Sequence, residues 1–302
     1  MPELPDIVVY IEALEQRVLG ETVAGVRVVS PAVMRTYDPP YDAPVGLEVI
    51  ELHRVGKRIA FGMGEGAERP ADLYLVIHLM VAGRLRWEAP GKAIPRKVGL
   101  AALDFEHGSL ILTEQGTHKR AGMWLFRDWA GVTALDRGGI EPLESSPDEF
   151  ATAIKAENRT LKRALTDPRI FSGIGNAYSD EILWAARLSP VKRTSQLTAE
   201  EMELLHGAVV DSLESWTRVL REEVGEGWPT KVTAFRDEMA VHGKFGDPCP
   251  RCGSKVQRIV YSDNETNYCA TCQTGGKLLA DRSLSRLLKD DWPKTLEELE
   301  GA

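Results

Sequence analysis

The chain has 302 residues, with 37 Lys and Arg against 45 Asp and Glu, and a formal net charge of −8. That balance argues against a protein that coats nucleic acid non-specifically but leaves room for a local basic face. The length allows two domains with separate cores, and no stretch approaches the roughly 20 apolar residues that a bilayer span needs; a soluble intracellular protein with no membrane partner is expected.

In chain order, the first feature is Pro2-Glu3-Leu4-Pro5-Asp6. A small residue after Met1 favours removal of the methionine, which would leave Pro2 with a free secondary amine. An α-amine has an ordinary pKa of about 7.7–8.0, so roughly a tenth of it is neutral and nucleophilic at neutral pH. Attack on a sugar C1′ would give a cationic iminium, the electron sink of covalent catalysis by amines, and the adjacent Glu3 could move protons. Asp6 to Leu19 carries Ile7, Ile11, Leu14 and Val18 at helical spacing before Gly20, so a helix presents this terminus.

From about Val23 to Trp129 the chain is a series of short runs rich in β-branched and aromatic residues, such as Leu73–Ile77 and Leu110–Leu112, punctuated by Gly and Pro. Such runs predict a β-sandwich. Gly138 to Pro147 reads as a linker. Helices follow: one opened by Pro147-Asp148-Glu149, then Leu161 to Leu165, Ala177 to Ala186 and Ala199 to Arg221, with Trp184 and Trp216 as helix-core residues. Between Lys155 and Arg193 eight cations face four acids; standing alone this excess reads as a solvated helical face, and only together with a phosphate-gripping motif does it read as a DNA footprint.

Cys249-Pro-Arg-Cys252 and Cys269-Ala-Thr-Cys272 use all four cysteines of the chain. Two such pairs at this separation are the pattern of one structural zinc held by four thiolates. Two disulfides would need an oxidising compartment, and charges at Glu3 and Asp6 interrupt any signal-peptide core. Lys255 to Tyr261 and Asn267-Tyr268 read as strands around a polar turn, Ser262 to Glu265. Ser283 to Lys289 and Lys294 to Glu300 suggest a short acidic helical tail.

Pro2-Glu3 at one end and a four-cysteine hairpin at the other resemble the formamidopyrimidine and endonuclease VIII family of DNA glycosylases. Arg54-Val-Gly-Lys57-Arg58, Ile77-His78-Leu79 with Ala82-Gly83, and Gly173-Ile-Gly-Asn176-Ala-Tyr178 support the resemblance. It implies an α+β multidomain fold with an N-terminal helix and β-sandwich (1–131), a linker (132–147), a helix-two-turn-helix domain (148–240), a zinc-finger β-hairpin (241–276) and a tail (277–302). It also implies catalytic roles for Pro2, Glu3 and Lys57, and DNA contacts from Arg120, Lys119, Lys162, Asn176, His78, Lys97 and Asn264. Zn2+ would be the cofactor, damaged DNA the partner, the state monomeric, and the location the cytoplasm of a bacterial-type cell, on the nucleoid when bound.

Two departures stand out. The family's hairpin arginine, five residues before the third cysteine, is Asn264 here, which puts δ-elimination in doubt. The side chains that fill the gap left by an everted base correspond to Val81, after Met80, and to Lys119 and Ala121; Val and Ala do not replace that volume. Three readings compete: a bifunctional glycosylase and lyase acting on oxidised or otherwise modified bases, a glycosylase specialised for single-stranded, bulged or crosslinked DNA, and a non-catalytic damage-binding protein. A zinc-dependent transcription factor is weaker, since no basic recognition helix follows the hairpin.

Overall fold

A computed structural model describes residues 1–66, 69–116, 118–233, 235–261, 264–280 and 293–300. The packing divides into two compact units, Met1–Arg137 with Trp216–Thr233, and Gly138–Ser215 with Ala234–Ala302.

The first unit opens with helix α1, Leu4–Val18. Glu3 is its N-cap and forms a capping box with Asp6, whose carboxylate accepts the Glu3 amide at 2.9 Å, and Pro5 lies in the first turn, where a missing N–H costs nothing. The strands are β1 (Gly25–Val28), β2 (Glu48–Val55), β3 (Arg58–Gly64), β4 (Leu73–His78), β5 (Gly83–Glu88), β6 (Gly99–Asp104), β7 (Ser109–Glu114) and β8 (Gly122–Phe126). They form two antiparallel four-stranded sheets, ordered β1-β6-β7-β5 and β2-β3-β4-β8. Ile59, Phe61, Met63, Leu75, Ile77 and Met123 from one sheet meet Leu85, Ala101, Leu103, Leu110 and Leu112 from the other, and α1 adds Ile7, Tyr10 and Leu14 to the same core. The opposite face of the second sheet holds a smaller core of Val55, Ala60, Tyr74 and Val76, covered by Val132 of helix α2 (Trp129–Thr133). Burial on both faces explains why β4 reads as an almost unbroken apolar run.

The second unit contains α3 (Pro147–Lys155), α4 (Leu161–Thr166), α5 (Asn176–Ala185) and the N-terminal part of α6 (Ala199–Val224). The segment read as a linker is built into this unit at its start: Ile140 bridges Phe171, and a Cβ on Gly139 would meet the Pro168 carbonyl at 2.5 Å. The hairpin pairs β9 (Gln257–Tyr261) with β10 (Asn264–Tyr268), Asn264 opposite Tyr261. Asn264 and Glu265 thus belong to a strand and not to the expected turn, because the antiparallel register runs right up to that pair. Helix α7, Ala270–Thr274, follows. Of the expected acidic tail, Ser283 to Lys289 lie outside the described residues. The last short helix, Leu296–Glu300, is docked: Leu296 packs with Tyr268, Ala270 and Leu278.

Candidate active site and nucleic-acid interface

In the first unit the N-terminus, the β2–β3 turn and the loops after β4, β5 and β7 carry the candidate residues. Pro2 is buried and Glu3 is only 2% exposed, held at the head of a helix whose apolar face is locked in the core. Burial holds the Met1 ammonium below its ordinary range; the Glu3 and Asp6 carboxylates oppose this, while Arg84 and Lys57 add to it. Lys57 therefore acts electrostatically on the terminus, from the turn in which Gly56 takes the left-handed φ of 62° that glycine adopts at no steric cost.

His78 ends β4 opposite Arg58. Burial first, then the charges of Arg58 and Lys57, push it down to about 4, so it is neutral at neutral pH. Its Nδ1 accepts the Met80 amide at 3.3 Å, and Met80 adopts a left-handed φ of 53°. That turn puts Val81 at the surface, 55% exposed. The loop closes where the Gly83 amide donates to the Leu79 carbonyl at 2.8 Å, and Arg84 donates to the Gly83 carbonyl at 2.6 Å.

Glu114, opposite Gly83 in the sheet, organises the second loop. Its buried carboxylate accepts the amides of Arg120 at 2.7 Å and Ala121 at 3.0 Å, and its carbonyl accepts the ammonium of Lys119. Arg35 donates to the carbonyls of Arg120 and Ala121. Arg120 and Lys97 have exposed side chains, and the residue after Lys97, Val98, accepts the Glu114 amide at 2.7 Å. Ala121 is a core residue, 2% exposed, so the position expected to carry a missing wedge points inward. Arg35, Arg84 and Glu114 escaped the sequence reading: each acts on backbone groups that the fold brings to it, and no motif marks them.

In the second unit Gly173, at φ 80°, and Gly175 lead into α5, which starts at Asn176. The Asn176 amide donates to the Glu265 carbonyl of β10 at 2.9 Å. Lys162, expected at the DNA surface, lies largely inside: its ammonium donates to the Asn176 carbonyl and to Asp180 Oδ1, both at 2.6 Å. A buried carboxylate demands a cationic partner, and Lys162 on α4 supplies it. Asp180 Oδ2 also meets His242 Nδ1 at 2.8 Å and accepts the Asn267 amide at 3.1 Å. Glu181 accepts the amides of Ala240, Val241 and His242. Within the basic stretch, Arg159, Lys162, Arg169 and Lys192 are all ion-paired, so the counted excess overstates the charge offered to a ligand. Asn264 stands at the start of β10.

The four cysteine sulfurs lie within 4.8 Å of one another, with Cys252 to Cys269 at 3.4 Å and Cys249 to Cys272 at 4.0 Å. Disulfide sulfurs would be about 2.05 Å apart, whereas a tetrahedron with Zn–S of about 2.3 Å puts them about 3.8 Å apart. The donor set and spacing fit one zinc ion. Trp184 Nε1–H donates to Cys249 Sγ at 3.3 Å, and such outer contacts orient ligands. Among the described residues no helix is long and apolar enough to cross a membrane.

These two units define a zinc-finger protein with a helix-two-turn-helix element and an N-terminal helix on a β-sandwich. Residues 1–120 match the formamidopyrimidine-DNA glycosylase N-terminal domain, 139–223 its H2TH domain, and 246–275 a zinc finger found in FPG and IleRS. The chain is 31% identical to the formamidopyrimidine-DNA glycosylase of Exiguobacterium sibiricum, over 90% of this chain and 99% of that one. It is 40% identical over 151 residues to an uncharacterised formamidopyrimidine-DNA glycosylase-like protein of Mycobacterium tuberculosis, covering 50% of this chain and 94% of that one. A Lactococcus lactis Fpg structure in complex with DNA containing an abasic site superposes with a TM-score of 0.77 at 26% identity, covering 90% of this chain and 99% of that one. The chain belongs to the formamidopyrimidine-DNA glycosylase family, the DNA glycosylases of base excision repair.

Proposed function

We propose that the protein is a bifunctional DNA glycosylase and abasic-site lyase that removes oxidised or otherwise damaged bases through a covalent imine on Pro2. The observation that carries this reading is the N-terminus: Pro2 and Glu3 are buried at the head of α1, where burial lowers the Met1 ammonium, Glu3 and Asp6 oppose that, and Arg84 and Lys57 add to it. Removal of Met1 would free the Pro2 nitrogen. Its lone pair attacks C1′, the C1′–base bond breaks, and the base leaves with a proton that Glu3 is placed to relay. The resulting iminium acidifies C2′; loss of that proton expels the 3′ phosphate by β-elimination, and water releases the sugar from Pro2. Burial and neighbouring cations lower an amine's pKa and so raise its nucleophilic fraction at neutral pH, while neighbouring carboxylates oppose this.

Lys57, Arg120, Lys119, Lys97 and neutral His78 supply the strand contacts of the first unit in this reading, and Asn176 and Asn264 those of the second. Without an arginine at position 264, β-elimination is the end point and δ-elimination is weak. The zinc stabilises the hairpin and takes no part in the chemistry. The protein acts as a monomer in the cytoplasm, on the nucleoid when bound.

A second reading concerns substrate. Inward-facing Ala121 leaves Val81 as the exposed large apolar side chain among the described residues of these two loops, with Met80 beside it half-buried; valine is too small to fill the gap of an everted base. Substrates already unpaired, in which no partner base has lost its stack, are then favoured over intact duplex.

The test is borohydride trapping on oligonucleotides carrying an abasic site, 8-oxoguanine or an oxidised pyrimidine, single- and double-stranded. We expect a covalent adduct in wild type, none in Pro2→Gly, and loss of base release in Glu3→Gln. A protein with Met1 removed and zinc bound that gives no adduct on abasic DNA is a damage-binding protein instead.

A further inference from the structure

We infer that Asp180 is a positioning residue for the DNA grip of the second unit, acting on Asn176 and coupling it to the zinc-bearing hairpin. The inference deepens the proposed function and rests on its reading of Asn176 as a phosphate contact.

These residues form a circuit of hydrogen bonds that β10 closes. From Asp180, fully buried, Oδ1 accepts Lys162; the same ammonium donates to the backbone carbonyl of Asn176; the Asn176 side chain donates to the carbonyl of Glu265; and two residues along β10 the Asn267 amide returns to Asp180 Oδ2. Asn176 is held from both its backbone and its side chain, so its orientation is fixed from two directions. Asp180 touches both arms.

The remaining contacts brace the carboxylate. His242, adjoining the loop that Glu181 grips by three amides, meets Asp180 Oδ2. Asn267 Oδ1 accepts the Gly243 amide at 2.9 Å, tying β10 to that same loop. The Lys162 ammonium, the Asn176 side chain and the Asn267 amide are all donors, aimed at the buried carboxylate or at a carbonyl. An amide in place of Asp180 would set its NH2 against one of those donors. Lys162 then loses the carboxylate that holds its ammonium on Asn176.

The experiment compares wild type, Asp180→Asn, Asn176→Ala and the double variant. Two quantities are read: affinity for a duplex carrying a stable abasic analogue, and the single-turnover cleavage rate of abasic DNA at saturating protein. Zinc content is measured throughout. We expect Asp180→Asn to weaken binding roughly ten-fold, the scale of one buried partner lost, with the saturated rate nearly unchanged and one zinc per chain retained. The double variant should bind no worse than Asn176→Ala alone, because Asp180 acts through that residue. Additive losses, or wild-type affinity in a zinc-loaded Asp180→Asn, would overturn the inference. If Asn176→Ala binds normally, both the inference and the phosphate reading of Asn176 fall; if only the non-additivity is missing, the phosphate reading stands. Should Asp180→Asn not fold, the pair Asp180→Asn with Lys162→Met removes both charges together, opens the same circuit and carries the same expectation.

Discussion

The imidazole of His78 accepts the backbone amide of Met80 at 3.3 Å, so the ring that sequence comparison would nominate as a DNA contact also fixes the conformation of the loop behind it. The acceptor nitrogen must be unprotonated. Burial, then Arg58 and Lys57, keep it so, by lowering His78 to about 4 from an ordinary 6.5.

This makes stability depend on pH in a defined direction. The folded pKa lies below the unfolded one, so the unfolded chain binds the extra proton first and the contribution is complete above about pH 6.5. As pH falls from 6.5 towards 4, about 3 kcal/mol should be lost. Urea unfolding of wild type and His78→Asn across that interval checks this; equal pH slopes in the two proteins would refute it.

Enlarging the position that corresponds to a family wedge should not create a wedge. Ala121 is buried and its amide is held by Glu114, so Ala121→Phe overpacks the sandwich and costs about 1–3 kcal/mol. Val81→Met, at the exposed site, should instead raise cleavage of duplex relative to single-stranded substrate. Thermal unfolding and the ratio of the two cleavage rates read these outcomes separately.

A Cβ on Gly83 would collide with the Leu79 carbonyl oxygen and come within 2.9 Å of Leu79 Cα. Backbone cannot yield as a side chain can, so Gly83→Ala should cost about 3 kcal/mol or more and disorder the Met80–Val81 turn. Retention of wild-type stability would show that the loop has a second accessible path.

Removing zinc should be visible through Trp184, whose indole donates to Cys249 and carries Arg251 over its ring at 4.0 Å. Chelation should shift the tryptophan emission in wild type and abolish DNA binding, because the metal's binding energy is also folding energy for the hairpin. In Trp184→Phe the emission change should shrink while the binding loss persists. An unchanged wild-type spectrum on verified zinc loss would contradict the proximity of the indole to the site.

The elements were legible where local chemistry determines them. Ile7, Ile11, Leu14 and Val18 spelled out α1, and the cysteine spacing spelled out the metal site. The sandwich showed in its turns more than in its alternation, since β4 is buried on both sides. What stayed hidden depends on partners far along the chain. A charge count could not know that Lys162 answers a carboxylate on the next helix, nor that Glu114 would draw Ala121 inward. Asn264 and Glu265 looked like turn residues by composition, yet the pairing of Asn264 with Tyr261 draws them into a strand.

The buried seat of Pro2 gives protein maturation control over chemistry. While Met1 remains, the proline nitrogen is an amide whose lone pair is delocalised into a carbonyl. The helix behind it is anchored by Ile7, Tyr10 and Leu14, so the terminus has little freedom to bring a different amine into place. Under the proposed mechanism, one uncleaved methionine, or any tag left ahead of Pro2, would leave the DNA-facing surfaces intact and silence the nucleophile. On the same proposal, such a molecule would sit on lesions and shield them from repair.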